Sequence, residues 1–243
     1  MPKFRIIGTL ALGLLAAGCA TGEQPPGDAE TVSDPLEGMN RFFFDLNQRL
    51  DRHAALPVAT AYKKTVPQPV RTTLHNVLDN LGGPVSVAND LLQAQFENAG
   101  IAAGRFIVNS TIGIAGIFDV ATGWGMPARA RDFGETLGTY GVPPGPYLVL
   151  PLRGATDLRD FAGNYLDGYA TPLRYVRYDG HEYVGWMKST LSSMDNRASN
   201  IVTYRDIERA SVDYYATMRT LYLERRARLI EDRSVQTAGL PDF

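Results

Sequence analysis

Cys19 is the only cysteine in 243 residues, and it directly follows the small residues Ala16-Ala17-Gly18. A single thiol cannot form an intramolecular disulfide, so its chemistry must involve a group from outside the chain. Other side chains that commonly react are sparse. The three histidines, His53, His75 and His181, are scattered. His181-Glu182 lacks the second histidine that a zinc-binding helix requires. No G-x-S-x-G turn exposes a serine nucleophile, and no Walker A sequence cradles phosphate. His53 sits beside Asp51 and Arg52, where a solvated or helix-capping role fits it. The pattern therefore contains no catalytic constellation, no metal-ligand set and no cofactor site.

The residues before Cys19 explain what reaches it. Lys3 and Arg5 give a positive start, and Ile6 to Leu15 form an apolar run. About 20 apolar residues are needed to span a bilayer as a helix, and this run is roughly half that. It reads as a removable secretory signal. Its junction with Cys19 resembles the lipobox of bacterial lipoproteins, with Ala16 where Leu is usual and Leu15 one residue earlier. That resemblance implies a diacylglyceryl group on the sulfur, cleavage before Cys19 and acylation of the new amino end. The alternative is a plain secretory signal with an incidental cysteine. Each buried CH₂ contributes about 0.8 kcal/mol, so three acyl chains would make a permanent anchor. By the enteric sorting pattern, Ala20 in place of Asp directs such a protein to the outer membrane.

The elements that follow divide the chain into a signal peptide (1–18), a lipidated tether (19–33), a helical domain (34–233) and a frayed tail (234–243). Thr21 to Ser33 is rich in Gly, Pro and acid and reads as flexible. Removing residues 1–18 takes two of the 24 basic residues and none of the 26 acidic ones, leaving a net charge of −4. That balance argues against nucleic acid as a partner. Asp34-Pro35-Leu36-Glu37 has the form of a capping box. Leu36, Met39, Phe43, Leu46 and Leu50 then recur at helical spacing, with Phe42 and Phe44 widening the apolar arc. A helix apolar around most of its girth is deeply buried or faces lipid.

A second helix is expected over 69–81, stopped by Gly82-Gly83-Pro84, with a short one over 85–93. Ile101 to Val120 is the most hydrophobic part beyond the signal, and Arg105, Asn109 and Gly113 divide it. Gly100 and Gly104, four apart, would let helices approach closely. Gly141-Val142-Pro143-Pro144-Gly145-Pro146 excludes regular structure, and Tyr147 to Pro151 is extended but too isolated to imply a sheet. A helix is expected from Thr156. Residues 182–232 are helical again, with Ile207, Ala210, Tyr214, Met218, Leu221 and Tyr222 on the apolar face. The class is mainly α.

The ordered motifs carry a family resemblance. Asp34-Pro35-Leu36-Glu37-Gly38-Met39-Asn40-Arg41 resembles the opening of the MlaA (VacJ) phospholipid-transport lipoproteins. Val66-Pro67-Gln68-Pro69, Asn80-Leu81, Arg105-Phe106 with Asn109, and Phe118-Asp119-Val120-Ala121 continue it. Asp132-Phe133-Gly134, Gly145-Pro146-Tyr147 and Leu158-Arg159-Asp160 follow in order. The close part spans about 34–165, with Met39 in place of the usual Phe. The resemblance implies a ring-like helical single domain lying in the periplasmic leaflet of the outer membrane. It implies a central amphipathic channel that passes stray outer-leaflet phospholipid to a soluble MlaC-type carrier, and association with a trimeric outer-membrane porin. Within that picture Arg41, Asn47, Arg105, Asn109 and Asp119 are the polar channel candidates, and Phe42, Phe43 and Phe44 the lipid-facing ones. Gly141, Pro143, Pro144 and Gly145 are candidates for a gate, against the alternative of a rigid connector. The rival functions are a structural porin-docking lipoprotein and a periplasmic lipase.

Overall fold

A computed structural model of the chain describes residues 34–171, Tyr175 and residues 181–231. Cys19, the signal and tether (1–33) and the tail (234–243) lie outside the described residues. In chain order come α1 (Glu37–Leu50), a π-helical turn (Asp51–Ala55), α2 (Leu56–Thr65), α3 (Gln68–Leu92), α4 (Phe96–Thr111) and α5 (Val120–Gly123). Then follow α6 (Phe133–Thr139), β1 (Tyr147–Leu150), β2 (Gly154–Asp157), α7 (Leu158–Ala170), α8 (His181–Ser199), α9 (Ile201–Ala210) and α10 (Tyr214–Glu231). Helix dominates, as the 3.6-residue stripes require.

The ends of α1 differ from expectation. Leu36 stands at the cap without a side-chain bond. The Asp34 carboxylate accepts from Leu36 N–H and Asn40 Nδ2, but also from the Tyr215 hydroxyl and from Arg219 Nη1 at 3.2 Å. A carboxylate needs donors wherever it is buried, and α10 supplies them. At the other end the backbone stays helical through the π-turn into α2. A two-pronged pair from Arg197 of α8 to Asp51, 2.7 Å in each arm, holds that turn.

Gly82-Gly83-Pro84 does not stop the second helix; α3 runs unbroken from Gln68 to Leu92. Packing against α4 overrides the local propensity of these residues. A Cβ on Gly83 would meet the Phe106 ring at 3.1 Å, so this glycine is where the two helices touch. Gly100, expected to do so, has nothing near its Cβ position. A closer crossing joins α6 to α7, where a Cβ on Gly163 would fall 2.3 Å from Gly134 N.

Tyr147–Leu150 is a strand after all. It pairs antiparallel with β2, Tyr147 opposite Asp157 and Leu150 opposite Gly154. Thr156 therefore lies within a strand, and Asp157, the last residue of β2, caps α7 by accepting from Asp160 N–H at 2.7 Å. Tyr147 and Val149 point inward and join Tyr215 and Tyr222 of α10, with Phe43 and Phe44 of α1 against them. On α10 the buried residues are Tyr215, Met218 and Tyr222, one position round from the expected Tyr214.

Candidate functional site

α7 is inverted relative to an ordinary surface helix. It buries Arg159, Asp160 and Gly163 and leaves Leu158, Phe161, Tyr165, Leu166 and Tyr169 exposed. α4 also turns large apolar side chains outward. Its buried residues are Ala99, Ala102 and Asn109, while Phe96 and Ile107 face outward. The turn after α4 adds exposed Ile112, Ile114 and Phe118. Ile114 and Ala115 hold left-handed backbone, which is uncommon for a β-branched side chain. Contiguous exposed apolar surface on a folded chain marks contact with an apolar partner. Among the described residues no helix is long and apolar enough to cross a membrane.

Behind the α4 face lies a polar knot. Arg105 and Asn109 are one helical turn apart, and Asp119 caps α5 by accepting from Thr122 N–H at 3.1 Å. Arg105 Nη2 reaches both Asp119 oxygens at 3.1 and 3.2 Å, and Nη1 bonds Thr122 Oγ1 and the Met126 carbonyl. Asn109 donates to Asp119 Oδ1 at 3.0 Å and accepts from Ala121 N–H at 3.0 Å. Burial opposes ionisation of Asp119, but the bonds from Thr122, Asn109 and Arg105 outweigh it and hold the carboxyl at about 2. Three of the sequence candidates thus come together as one structural unit.

The α1 candidates divide. Arg41 bonds Glu37 at 2.7 Å and Asp213 at 2.6 Å, and its guanidinium lies 4.4 Å from the Tyr215 ring centre. Phe42 is 64% exposed, whereas Phe43 and Phe44 pack on the tyrosine core. Asn47 donates to the Leu150 carbonyl and accepts from Leu152 N–H, both at 2.8 Å. Asn40, seven residues earlier, does the same to Tyr147 C=O and Val149 N–H at 2.9 Å. The two amides act as a third strand along the free edge of β1, a role invisible before the hairpin was known.

Gly141, Pro143, Pro144 and Gly145 are all exposed. Gly141 (φ +82°) and Gly145 (φ +72°) adopt left-handed backbone. Between them the chain is tied down. Val142 N–H donates to Leu137 C=O, Arg159 Nη1 donates to Val142 C=O at 3.2 Å, and Arg159 N–H donates to Pro144 C=O at 3.1 Å.

The largest feature missed from sequence is the ionic network that joins α6, α7 and α10. Arg226 bonds Asp132 at 2.7 and 3.0 Å and Asp160 at 2.8 Å. Arg131 bonds Glu135 at 2.9 Å, and the Tyr222 hydroxyl donates to Asp160 at 2.6 Å. Burial would raise the Asp132 carboxyl, but Arg226 and the Glu135 and Gly134 N–H groups hold it below its ordinary value. Burial and the neighbouring Asp132 push Glu135 up to about 7 despite its arginines. Asp90, fully buried, is raised by desolvation against the pull of Arg131. The Asp132-Phe133-Gly134 and Leu158-Arg159-Asp160 motifs were its signal in the sequence. Among the described residues no group of three metal-ligating side chains is placed to hold a metal ion.

The MlaA lipoprotein family model matches residues 32–229. The chain belongs to the MlaA family. A relative from Escherichia coli (strain K12), named intermembrane phospholipid transport system lipoprotein MlaA, is 37% identical over 225 residues, covering 90% of this chain and 86% of its own. The protein of the same name from Haemophilus influenzae is 32% identical over 247 residues, with 96% of each chain covered. A solved structure from work on the structural basis for maintenance of bacterial outer membrane lipid asymmetry superposes with a TM-score of 0.75 at 33% identity. It covers 82% of this chain and 99% of its own. The helical fold is thus that of the MlaA family, whose named members are intermembrane phospholipid transport system lipoproteins.

Proposed function

We propose that this chain is an outer-membrane lipoprotein, anchored by acylated Cys19 on the periplasmic side. It removes mislocalised phospholipid from the outer leaflet through an amphipathic channel and passes it to an MlaC-type periplasmic carrier. This retrograde traffic keeps the outer membrane asymmetric. A trimeric porin is its membrane partner. The inverted burial of α7, with apolar side chains out and charged side chains in, is the observation that carries the reading, and the outward Phe96 and Ile107 of α4 add to the apolar surface. Water disfavours exposed apolar surface by about 25 cal/mol per Å², so such faces call for hydrocarbon.

The physical task explains the design. Two acyl chains of about 16 carbons each expose on the order of 25 kcal/mol of apolar surface in water, so the lipid needs a shielded path. Its headgroup resists hydrocarbon, so that path needs polar groups as well. Phe42 and the α4 and α7 faces suit the first requirement. Arg41, Asn47, Arg105, Asn109 and Asp119 are the proposed polar contributors, acting from the paired geometry described above. No catalytic role is assigned, and lipid moves without covalent change.

The test is mass spectrometry of lipid copurifying with the full-length protein in mild detergent, together with phospholipid transfer from vesicles to the periplasmic carrier. Intact phospholipid bound and transferred supports the proposal. Free fatty acid as the product would make the protein a lipase, and absence of both bound lipid and transfer would leave it a docking lipoprotein.

A further inference from the structure

We infer that Glu135 is a proton-operated lock on the last turn of α10, whatever the protein carries. With its proton bound, the turn seats on α6. When the proton leaves, the turn lifts and water reaches the carboxylate. The lock arises from unequal numbers. Asp90, Asp132, Glu135, Asp157 and Asp160 face Arg131, Arg159 and Arg226. Five carboxyls against three guanidiniums would leave two negative charges without a partner if all ionised. All of these groups except Asp132 and Arg226 are buried, and an uncompensated charge in such a place is costly. Glu135 holds only a share of two arginines. Arg226 bonds Asp132 at 2.7 and 3.0 Å and Asp160 at 2.8 Å, and stands 3.5 Å from Glu135. Arg131 bonds Glu135 at 2.9 Å, but also faces Asp90 at 3.6 Å and the Leu229 carbonyl at 3.2 Å. Arg159 serves Asp157 and Asp160, and the Tyr222 hydroxyl donates to Asp160. On α7, Asp167 accepts from Phe133 N–H and the Asn89 amide, and Arg129 pulls on Asp90. Burial, with Asp132 three residues earlier, pushes Glu135 up to about 7. The cluster titrates as a unit, and Glu135 is its member beside α10.

The packing around Glu135 decides which part moves. On one side α6 meets α7 so closely that a Cβ on Gly163 would fall 2.3 Å from Gly134 N. On another, the Thr136 hydroxyl is bonded to Asn89 at 2.8 Å and to Gln93 at 3.0 Å. The third side is the end of α10. There Ile230 lies flat on α6, 2.5 Å from where a Cβ on Gly138 would stand, and the Leu229 carbonyl accepts from Arg131. Leu229 and Ile230 are half-buried, while Arg228 and Glu231 beside them are exposed. The last four carbonyls of a helix lack intrahelical partners, so a terminal turn opens at the least cost. Lifting it hydrates Glu135, and Arg226, one turn earlier, keeps Asp132 and Asp160. The sign follows from linkage. A carboxyl raised in the closed state favours that state below its ordinary 4.5 and favours the open one as pH rises through about 7.

Amide hydrogen exchange on the full-length protein in mild detergent, corrected for the intrinsic effect of pH on exchange, tests the lock. In wild type, opening at amides 227–231 should increase roughly tenfold between pH 6 and pH 8, the ratio given by a carboxyl at about 7 when closed and about 4.5 when open, while α3 and α7 stay flat. Glu135→Gln has the same shape and no charge at any pH, so its α10 turn should stay closed throughout. Asp132→Asn keeps a side chain that can cap α6, removes the like charge and leaves Arg226 to Glu135. Its transition should move to lower pH by about one unit or more. Melting at pH 6 shows which variants are folded, and the wild-type profile with the Asp132→Asn shift decides the matter if Glu135→Gln folds poorly. Amides 227–231 that stay flat in wild type, an equal rise in folded Glu135→Gln, or a rise spread evenly over the helices would each overturn the lock.

Discussion

At the scale of single residues, two carboxyls with opposite shifts give opposite pH behaviour. Asp119 is held at about 2, below its ordinary 3.8, so its stabilising contribution is full above the unfolded value and disappears as pH falls through about 2. Asp119→Ala should cost about 2 kcal/mol at pH 7, because Arg105 and Asn109 lose their partner in a largely buried site. Urea unfolding checks it, and the gap between variant and wild type should shrink toward pH 2. Glu135 runs the other way. Its folded value of about 7 lies above the ordinary 4.5, so its contribution is present below 4.5 and is lost as pH rises through about 7. Glu135→Gln should match wild type near pH 4.5 and be the more stable protein at pH 8, by on the order of 2 kcal/mol. Equal stability of the two proteins at pH 8 would mean that Arg131 and Arg226 fully repay the burial.

At the scale of elements, α1 is joined to the hairpin by side-chain amides where a third strand would otherwise lie. Asn40 is fully buried, so Asn40→Ala leaves Tyr147 C=O and Val149 N–H without partners. The expected loss is about 2–3 kcal/mol, and Asn47→Ala should cost less because Leu152 is 84% exposed and water can replace the amide. Thermal melting ranks the two. This joint was only half legible in the sequence. The stripe of α1 could be read, since 3.6 periodicity is local. The partner of Asn40 lies 107 residues away, and no local pattern records it. The same distance effect hid the hairpin: four apolar residues look isolated until Gly154–Asp157, itself without strand character, pairs with them.

At the scale of the whole molecule, the proposed anchoring and the proposed lipid contact have separate tests. Cys19→Ser should abolish outer-membrane sorting and leave the melting temperature unchanged, since the tyrosine core and the ionic network are built from residues of α1, β1, α6, α7 and α10. Membrane fractionation decides this, and a Cys19→Ser protein still wholly in the outer membrane would show that the helical faces suffice. Those faces have their own test. The double variant Phe161→Asp and Tyr165→Asp changes exposed positions of α7 only. It should weaken binding to phospholipid vesicles severalfold while melting stays within about 0.5 kcal/mol of wild type, as surface changes usually do. A matched loss of binding and stability would mean that these side chains support the fold instead.

The amino-acid sequence by itself determined the helical class, the order of motifs that marks the MlaA family, and Cys19 as its single thiol, the residue proposed for acylation. Each is written in neighbouring residues: periodicity, caps, and small residues before a cysteine. It also supplied the polar candidates, but not their state. That Arg105, Asn109 and Asp119 bond one another depends on α4 folding back onto the cap of α5, which only the structure shows. Only tertiary structure decided that α7 turns Arg159 and Asp160 inward and its aromatic residues outward. A helical stripe gives the spacing of a face but not the direction in which it points, and here the ionic partners on α6 and α10 set that direction. The same contacts decided that a glycine- and proline-rich segment, irregular by composition, lies pinned beneath its surface by one arginine.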